Sequence, residues 1–223
     1  MTLKSLNNRP TLIVIAGPTA VGKTEYCLSL AKKYNTAIIS ADSRQFYREM
    51  KIGTAVPSDS ELLSVPHHFI GNLSIFDYYS VSRFEEEVLQ LLSSLFEHAP
   101  VVIMTGGSGL YIDAVCYGID KLPPPEPSVR DYVTQLYEKQ GLNALQKHLQ
   151  LLDPEYYKEV DIANHKRLMR AIEVCLQTGK TYSSFRVLKE KKRDFEIEKY
   201  CLMRPRHILF NRINQRVDKM MKN

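Results

Sequence analysis

The chain has 223 residues, 44% of them hydrophobic and 25% charged, the balance of a globular protein of one or two domains with a packed core. Its apolar runs, such as residues 12–16 and 101–104, are far too short to cross a bilayer, and no apolar segment near the start leads to a small-residue cleavage site. These features argue against a membrane span and a secretory signal and for a cytoplasmic protein, while a net charge of +5 leans toward an anionic partner.

Residues 11–16 read as a buried strand, and Lys23 to Tyr34 as a helix with Cys27, Leu30, Ala31 and Tyr34 on one face. Between them runs Gly17, Pro18, Thr19, Ala20, Val21, Gly22, Lys23 and Thr24, the GxxxxGK[ST] pattern in its strand–loop–helix setting. The glycines let backbone N–H groups converge on phosphate oxygens. The helix N-terminus adds its positive end, Lys23 a full charge, and Thr24 a hydroxyl for Mg²⁺. Such a cradle recognises a di- or triphosphate without saying which.

Residues 36–40 form a second strand, followed at its carboxyl end by Asp42. In an open parallel sheet that end faces the ligand crevice, where a carboxylate acts as base or metal ligand or simply caps a turn. The segment 82–98 is helical, with capping-box spacing between Ser82 and Glu85 and an apolar face of Phe84, Val88, Leu91, Leu92 and Leu95. Residues 100–105 make a third strand that enters Gly106-Gly107 with no acid at its end, unlike many nucleotide hydrolases and kinases of this class.

Four prolines fall within residues 121–127, marking a connector. Beyond it the pattern is helical: a helix capped by Ser128, with Val129, Tyr132, Val133, Leu136 and Tyr137 inward and Gly141 at its end, then 164–179 with Leu168, Ala171, Ile172 and Cys175 inward. Lys166, Arg167 and Arg170 project opposite that stripe, and residues 186–193 hold five basic residues against one acid. Residues 200–203 suit one more strand, with Pro205 opening a last helix. The expected fold is therefore α/β: a P-loop NTPase-like parallel sheet flanked by helices (residues 1–120 and 200–223) with a small helical insertion (121–199). Four widely spaced cysteines without a CxxC pair read as buried reduced thiols, and His67-His68 lacks further ligands for a metal.

Taken together, Gly17-Pro18-Thr19-Ala20-Val21-Gly22-Lys23-Thr24, Asp42-Ser43-Arg44-Gln45-Phe46-Tyr47, Ile52-Gly53-Thr54-Ala55, Pro66-His67-His68, Gly106-Gly107-Ser108-Gly109-Leu110-Tyr111 and Arg206 with Arg212-Ile213-Asn214-Gln215-Arg216 resemble the tRNA dimethylallyltransferases. The likeness runs from about Thr11 onward. It implies that residues 17–24 hold the diphosphate of dimethylallyl diphosphate, with Mg²⁺ held by Thr24 through that diphosphate. The acceptor is the exocyclic amine of the adenosine 3′ to the anticodon in tRNA. Asp42, Ser108 and Arg216 are the implied catalytic residues, with Arg212 the other candidate arginine. Implied tRNA contacts are Asp42, Ser43, Arg44, Gln45, Ser108, Arg130, Lys166, Arg167, Leu168, Met169 and Arg170. Phe46, Tyr47 and Tyr111 are either stacking surfaces or core. Ser108 replaces the family's usual threonine, and Val56 a common lysine. Family members continue beyond position 223, so their further C-terminal helices are expected to be missing here, and the protein is expected to be a monomer. Three other readings stay open: an adenylate dimethylallyltransferase, a small-molecule P-loop kinase and a non-catalytic RNA-binding ATPase.

Overall fold

The computed structural model describes residues 9–187 and 189–222. They separate into an α/β unit, up to Ile119 and again from Glu190, and a helical unit, Asp120–Lys189. In chain order the α/β unit holds β1 (Thr11–Ala16), α1 (Lys23–Tyr34), β2 (Ile38–Ser40), α2 (Lys51–Thr54), α3 (Asp59–Ser64), β3 (His67–His68), α4 (Val81–Phe96), β4 (Val101–Thr105) and α5 (Gly109–Tyr117). The helical unit holds α6 (Pro127–Leu152), α7 (Pro154–Glu159) and α8 (His165–Thr178), and the chain then returns as β5 (Glu196–Cys201) and α9 (Arg206–Met220).

The strands form one parallel sheet in the order β3-β2-β4-β1-β5. Because side chains alternate across a strand, β1 and β4 divide their apolar residues between two layers. Leu12, Val14, Val102 and Met104 pack with Phe84, Val88 and Leu92 of α4 and Val115 of α5. Ile13, Ile15, Val101 and Ile103 pack with Cys27 and Ala31 of α1. Each fully buried Leu, Ile or Phe in these layers contributes roughly 1.5–3 kcal/mol. The connections place the loops after β1, β2 and β4 at the same end of the sheet, with β1 and β4 hydrogen-bonded neighbours.

Several element ends differ from the sequence reading. The cap of α4 is Ser80, whose extended backbone turns its Oγ to accept the Arg83 amide at 3.2 Å. Ser82 is not the cap because Glu85, its supposed partner, is buried and pairs with Lys191 and Arg193. In the helical unit Pro127 occupies the first helical position, so α6 starts before Ser128, whose hydroxyl donates to Glu126. Gly141, at φ 72°, breaks the helix as expected, but a second segment resumes at once and carries Ala144, Leu145 and Leu149 into the core. Tyr132 is 51% exposed and lies outside that core. The last strand starts at Glu196 because backbone pairing to β1, and not an apolar run, defines it. It is an edge strand, which leaves Cys201 exposed while Cys27, Cys116 and Cys175 are buried.

Candidate active site

The P-loop is shaped by residues at backbone angles that favour glycine. Gly17 has φ 147° and Gly22 φ 107°, and a side chain on Gly17 would also meet the Leu202 carbonyl at 2.7 Å. Lys23, the first residue of α1, folds back so that its Nζ donates to the carbonyls of Gly17 (2.8 Å) and Pro18 (3.0 Å). Thr24 follows it on the wall of the same cavity.

The loops after β2 and β4 meet beside this cradle. An added Cβ on Gly106 would lie 2.3 Å from the Ala41 carbonyl, so only glycine lets the two chains approach this closely. Asp42 uses Oδ1 to accept the Arg44 amide at 3.1 Å, which fixes its side chain in a local turn. Ser108 accepts the Ser43 amide at 3.0 Å and donates to the Ser43 hydroxyl at 3.0 Å. Its hydroxyl is thus engaged with the loop that carries Asp42. Gln45 bonds the Ser40 hydroxyl and donates to the carbonyls of Thr54 and Ala55, tying the loop to the end of α2. Phe46 is core: its ring packs on Phe69, Tyr79, Phe84 and Tyr111 at 5.2–6.3 Å. Tyr47 and Tyr111 are half-buried against that cluster.

From α9 two arginines reach the cradle. Arg216 donates to the Thr19 hydroxyl at 2.8 Å and to the Thr54 carbonyl at 3.4 Å, and Arg212 donates from Nε to the Ala20 carbonyl at 2.7 Å. Arg204, which no sequence motif singles out, donates from Nε to the Val21 carbonyl at 2.6 Å. These groups, with Lys23, occupy the carbonyls of Gly17, Pro18, Ala20 and Val21 and the Thr19 hydroxyl.

The result is a cavity of about 630 Å³ walled by the P-loop, Asp42, Gln45, His67, Gly106, Gly107, Arg212 and Arg216. Burial first, and then the nearby Arg216 charge, hold the Lys23 ammonium below its ordinary pKa, with Asp42 opposing. Lys23, Arg212 and Arg216 share the cavity wall with the carboxylates of Asp42, Glu25 and Glu61. His67, held by the Val65 carbonyl at 2.9 Å, belongs to the cavity wall, and no group of three or more metal-ligating side chains occurs among the described residues.

On the helical unit, Lys166 and Arg167 are exposed in the first turn of α8, which Asn164 caps through the Arg167 amide. Leu168 is fully buried in that unit's core, so as a candidate tRNA contact it is corrected: its side chain supports the surface and does not form it. Met169 is partly buried against the same core. Arg130 and Arg170 share the carboxylate of Glu173. Within 186–193, Arg186 pairs with Glu159, and Lys191 and Arg193 pair with Glu85, so three of the five basic residues are tied inward. Glu173 escaped the sequence reading, although an acid inside the buried stretch 171–175 is itself a sign of a paired charge.

Comparison with known proteins settles what this arrangement belongs to. The family model of the IPP transferases matches residues 45–223. This chain is an IPP transferase family member. Relatives named tRNA dimethylallyltransferase include those of Bacteroides thetaiotaomicron, 51% identical over 96% of this chain and 69% of the relative, and Christiangramia forsetii, 49% identical over 95% and 70%. Among solved structures, the family's tRNA isopentenylpyrophosphate transferase from Bacillus halodurans is 32% identical with a TM-score of 0.60, covering 96% of this chain and 67% of that one. A eukaryotic dimethylallyltransferase captured acting on tRNA is 25% identical with a TM-score of 0.78, covering 96% and 53%. The family is the one to which the motifs pointed, and these neighbours share the P-loop NTPase-like α/β architecture.

Proposed function

We propose that this family member transfers a dimethylallyl group from dimethylallyl diphosphate to the exocyclic amine of the adenosine 3′ to the anticodon of tRNA. The observation that carries this reading is the single cavity joining a positively charged P-loop to Asp42 at the end of the neighbouring strand. The amine nitrogen bonds to the allylic carbon as the carbon–oxygen bond to diphosphate breaks, and one amine proton leaves. Asp42, fixed by its own turn, receives that proton or orients the amine. Backbone N–H groups of the glycine-rich loop, Lys23, Arg216 and Arg212 take up the negative charge growing on the diphosphate. Ser108 holds the Asp42–Ser43 loop in place.

The Thr24 hydroxyl on the cavity wall, with no side-chain cluster of its own nearby, suits Mg²⁺, which favours hard oxygens and carries phosphate oxygens in its shell. When bound, Mg²⁺ neutralises part of the diphosphate charge. Arg130, Lys166 and Arg167 are the proposed contacts to the tRNA backbone, and Asp42 to Gln45 those nearest the acceptor base, which must leave its stack to reach the cavity.

The test is incubation of the protein with Mg²⁺, dimethylallyl diphosphate and unmodified tRNA carrying the target adenosine, with AMP as a parallel acceptor. Mass spectrometry of the digested nucleosides should show prenylated adenosine from tRNA and none from AMP. Product from AMP alone, or phosphorylation by ATP without prenyl transfer, would overturn the reading.

A further inference from the structure

Within the helical unit one buried acid organises two arginines. Glu173 is 3% exposed, yet its carboxylate accepts three hydrogen bonds: Oε1 from Nε of Arg130 at 3.1 Å, Oε2 from Nη2 of Arg130 at 3.3 Å, and Oε2 from Nη1 of Arg170 at 3.2 Å. Arg170 also donates from Nη2 to the Pro123 carbonyl at 2.5 Å, in the proline-rich connector. Its side chain is 25% exposed, whereas that of Arg130 is 47% exposed. The two arginines are therefore differently placed. Arg170 is a strut between Glu173 and the connector. Arg130 is gripped side-on through Nε and Nη2, and its Nη1 has no hydrogen-bond partner among the described residues.

A guanidinium held this way has lost much of its rotamer freedom while keeping an open edge of N–H groups, the geometry that suits a phosphate. We infer that Glu173 is a positioning residue for tRNA, presenting Arg130 to the RNA backbone, and that Arg170 braces Glu173 and does not itself touch the RNA. This rests on the tRNA reading above and deepens it.

The inference makes an expectation opposite in sign to simple charge counting. A carboxylate near a polyanion repels it, so Glu173→Gln should tighten tRNA binding if only net charge mattered. If positioning matters, losing the charged pair frees Arg130 and weakens binding, by about three- to ten-fold for one misplaced phosphate contact. Glu173→Asp separates the two ideas again: it keeps the charge but is one methylene short of holding both arginines.

The experiment measures tRNA binding at several salt concentrations, KM for tRNA and KM for dimethylallyl diphosphate, with thermal melts as a folding control. The proteins are the full chain, Glu173→Gln, Glu173→Asp, Arg130→Ala and the Arg130→Ala/Glu173→Gln double variant. The expected result is weaker tRNA binding and a higher tRNA KM for both Glu173 variants, an unmoved KM for the allylic diphosphate, and no further loss from Glu173→Gln once Arg130 is alanine. Should Glu173→Gln fail to fold, Glu173→Asp decides. Binding equal to or tighter than wild type in the folded variants, or losses that add in full in the double variant, overturns the inference. A wild-type protein that does not bind tRNA overturns both this and the function it rests on.

Discussion

The two units hold their positive charge in opposite ways. Around the P-loop, Lys23, Arg204, Arg212 and Arg216 are anchored on backbone carbonyls and a threonine hydroxyl. The one carboxylate that counters Lys23 there is Asp42, and the lysine remains depressed by burial and by Arg216. In the helical unit Arg130 and Arg170 lean on a buried acid. Neutral anchors hold these cations at the wall of a partly enclosed cavity without pairing them directly to an acid, which suits a small, highly charged ligand. An acidic anchor gives up some of that charge and gains direction, which suits one phosphate of a long, screened backbone.

The sharpest break of this comparison is Asp42→Ala, which removes the acid that opposes the Lys23 shift at the end of β2. Turnover should fall by roughly 10²–10⁴-fold, the range for a lost general base. Binding of dimethylallyl diphosphate, measured by calorimetry, should stay within a few-fold; near-normal turnover would take Asp42 out of the mechanism.

Next in size is Gly106→Ala. The new methyl group collides with the Ala41 carbonyl at 2.3 Å, so the loops after β2 and β4 must part. A loss of about 1–3 kcal/mol, typical of overpacking, should appear in chemical denaturation together with reduced turnover. An unchanged denaturation curve would show that the loops separate freely.

The helical unit should answer more gently. Replacing Lys166 and Arg167 by alanine should weaken tRNA binding at low salt and flatten its salt dependence by a slope of about 1 per lost phosphate contact. Filter binding across a salt series measures it, and an unaltered slope would make these two residues a solvated helix turn.

Smallest is a pH effect at Lys23. Its pKa lies below the ordinary 10.5 in the free protein, so its charge is lost earlier as pH rises. Bound diphosphate favours the ammonium and raises that pKa, so binding takes up a proton in the alkaline range between the two values. Affinity should therefore decline with rising pH from a point below 10.5, and Lys23→Met should abolish that decline. Calorimetry in buffers of different ionisation heat detects the proton.

How much of this was legible in the sequence follows from how local each feature is. The P-loop, β1 and α1 were read with their boundaries because one strand, one glycine-rich turn and one helix start lie within two dozen residues. Asp42 was readable as an acid at a strand end. The anchor of Arg204 was not, since its partner Val21 lies 183 positions away and no motif surrounds it. Helix ends misled where two serines competed: Ser80 and Ser82 are both good caps, and only the burial of Glu85 decides between them. The bonds of Ser108 to Ser43 were not legible, because sequence shows a hydroxyl and not the atom toward which it turns. Leu168 travelled with its basic neighbours in the motif although helical periodicity already put it inward.

The strand order β3-β2-β4-β1-β5 also sets the order in which the site can come into being. The cradle's loop precedes the helical unit in the chain, whereas the segment bearing Arg204, Arg212 and Arg216 follows it. A nascent chain halted before β5 has the lysine and the acid but none of these three arginines, and its P-loop carbonyls at Ala20 and Val21 lack their partners. The arginine contacts that complete the loop therefore form late, by closure of the sheet's last edge across very long sequence separations.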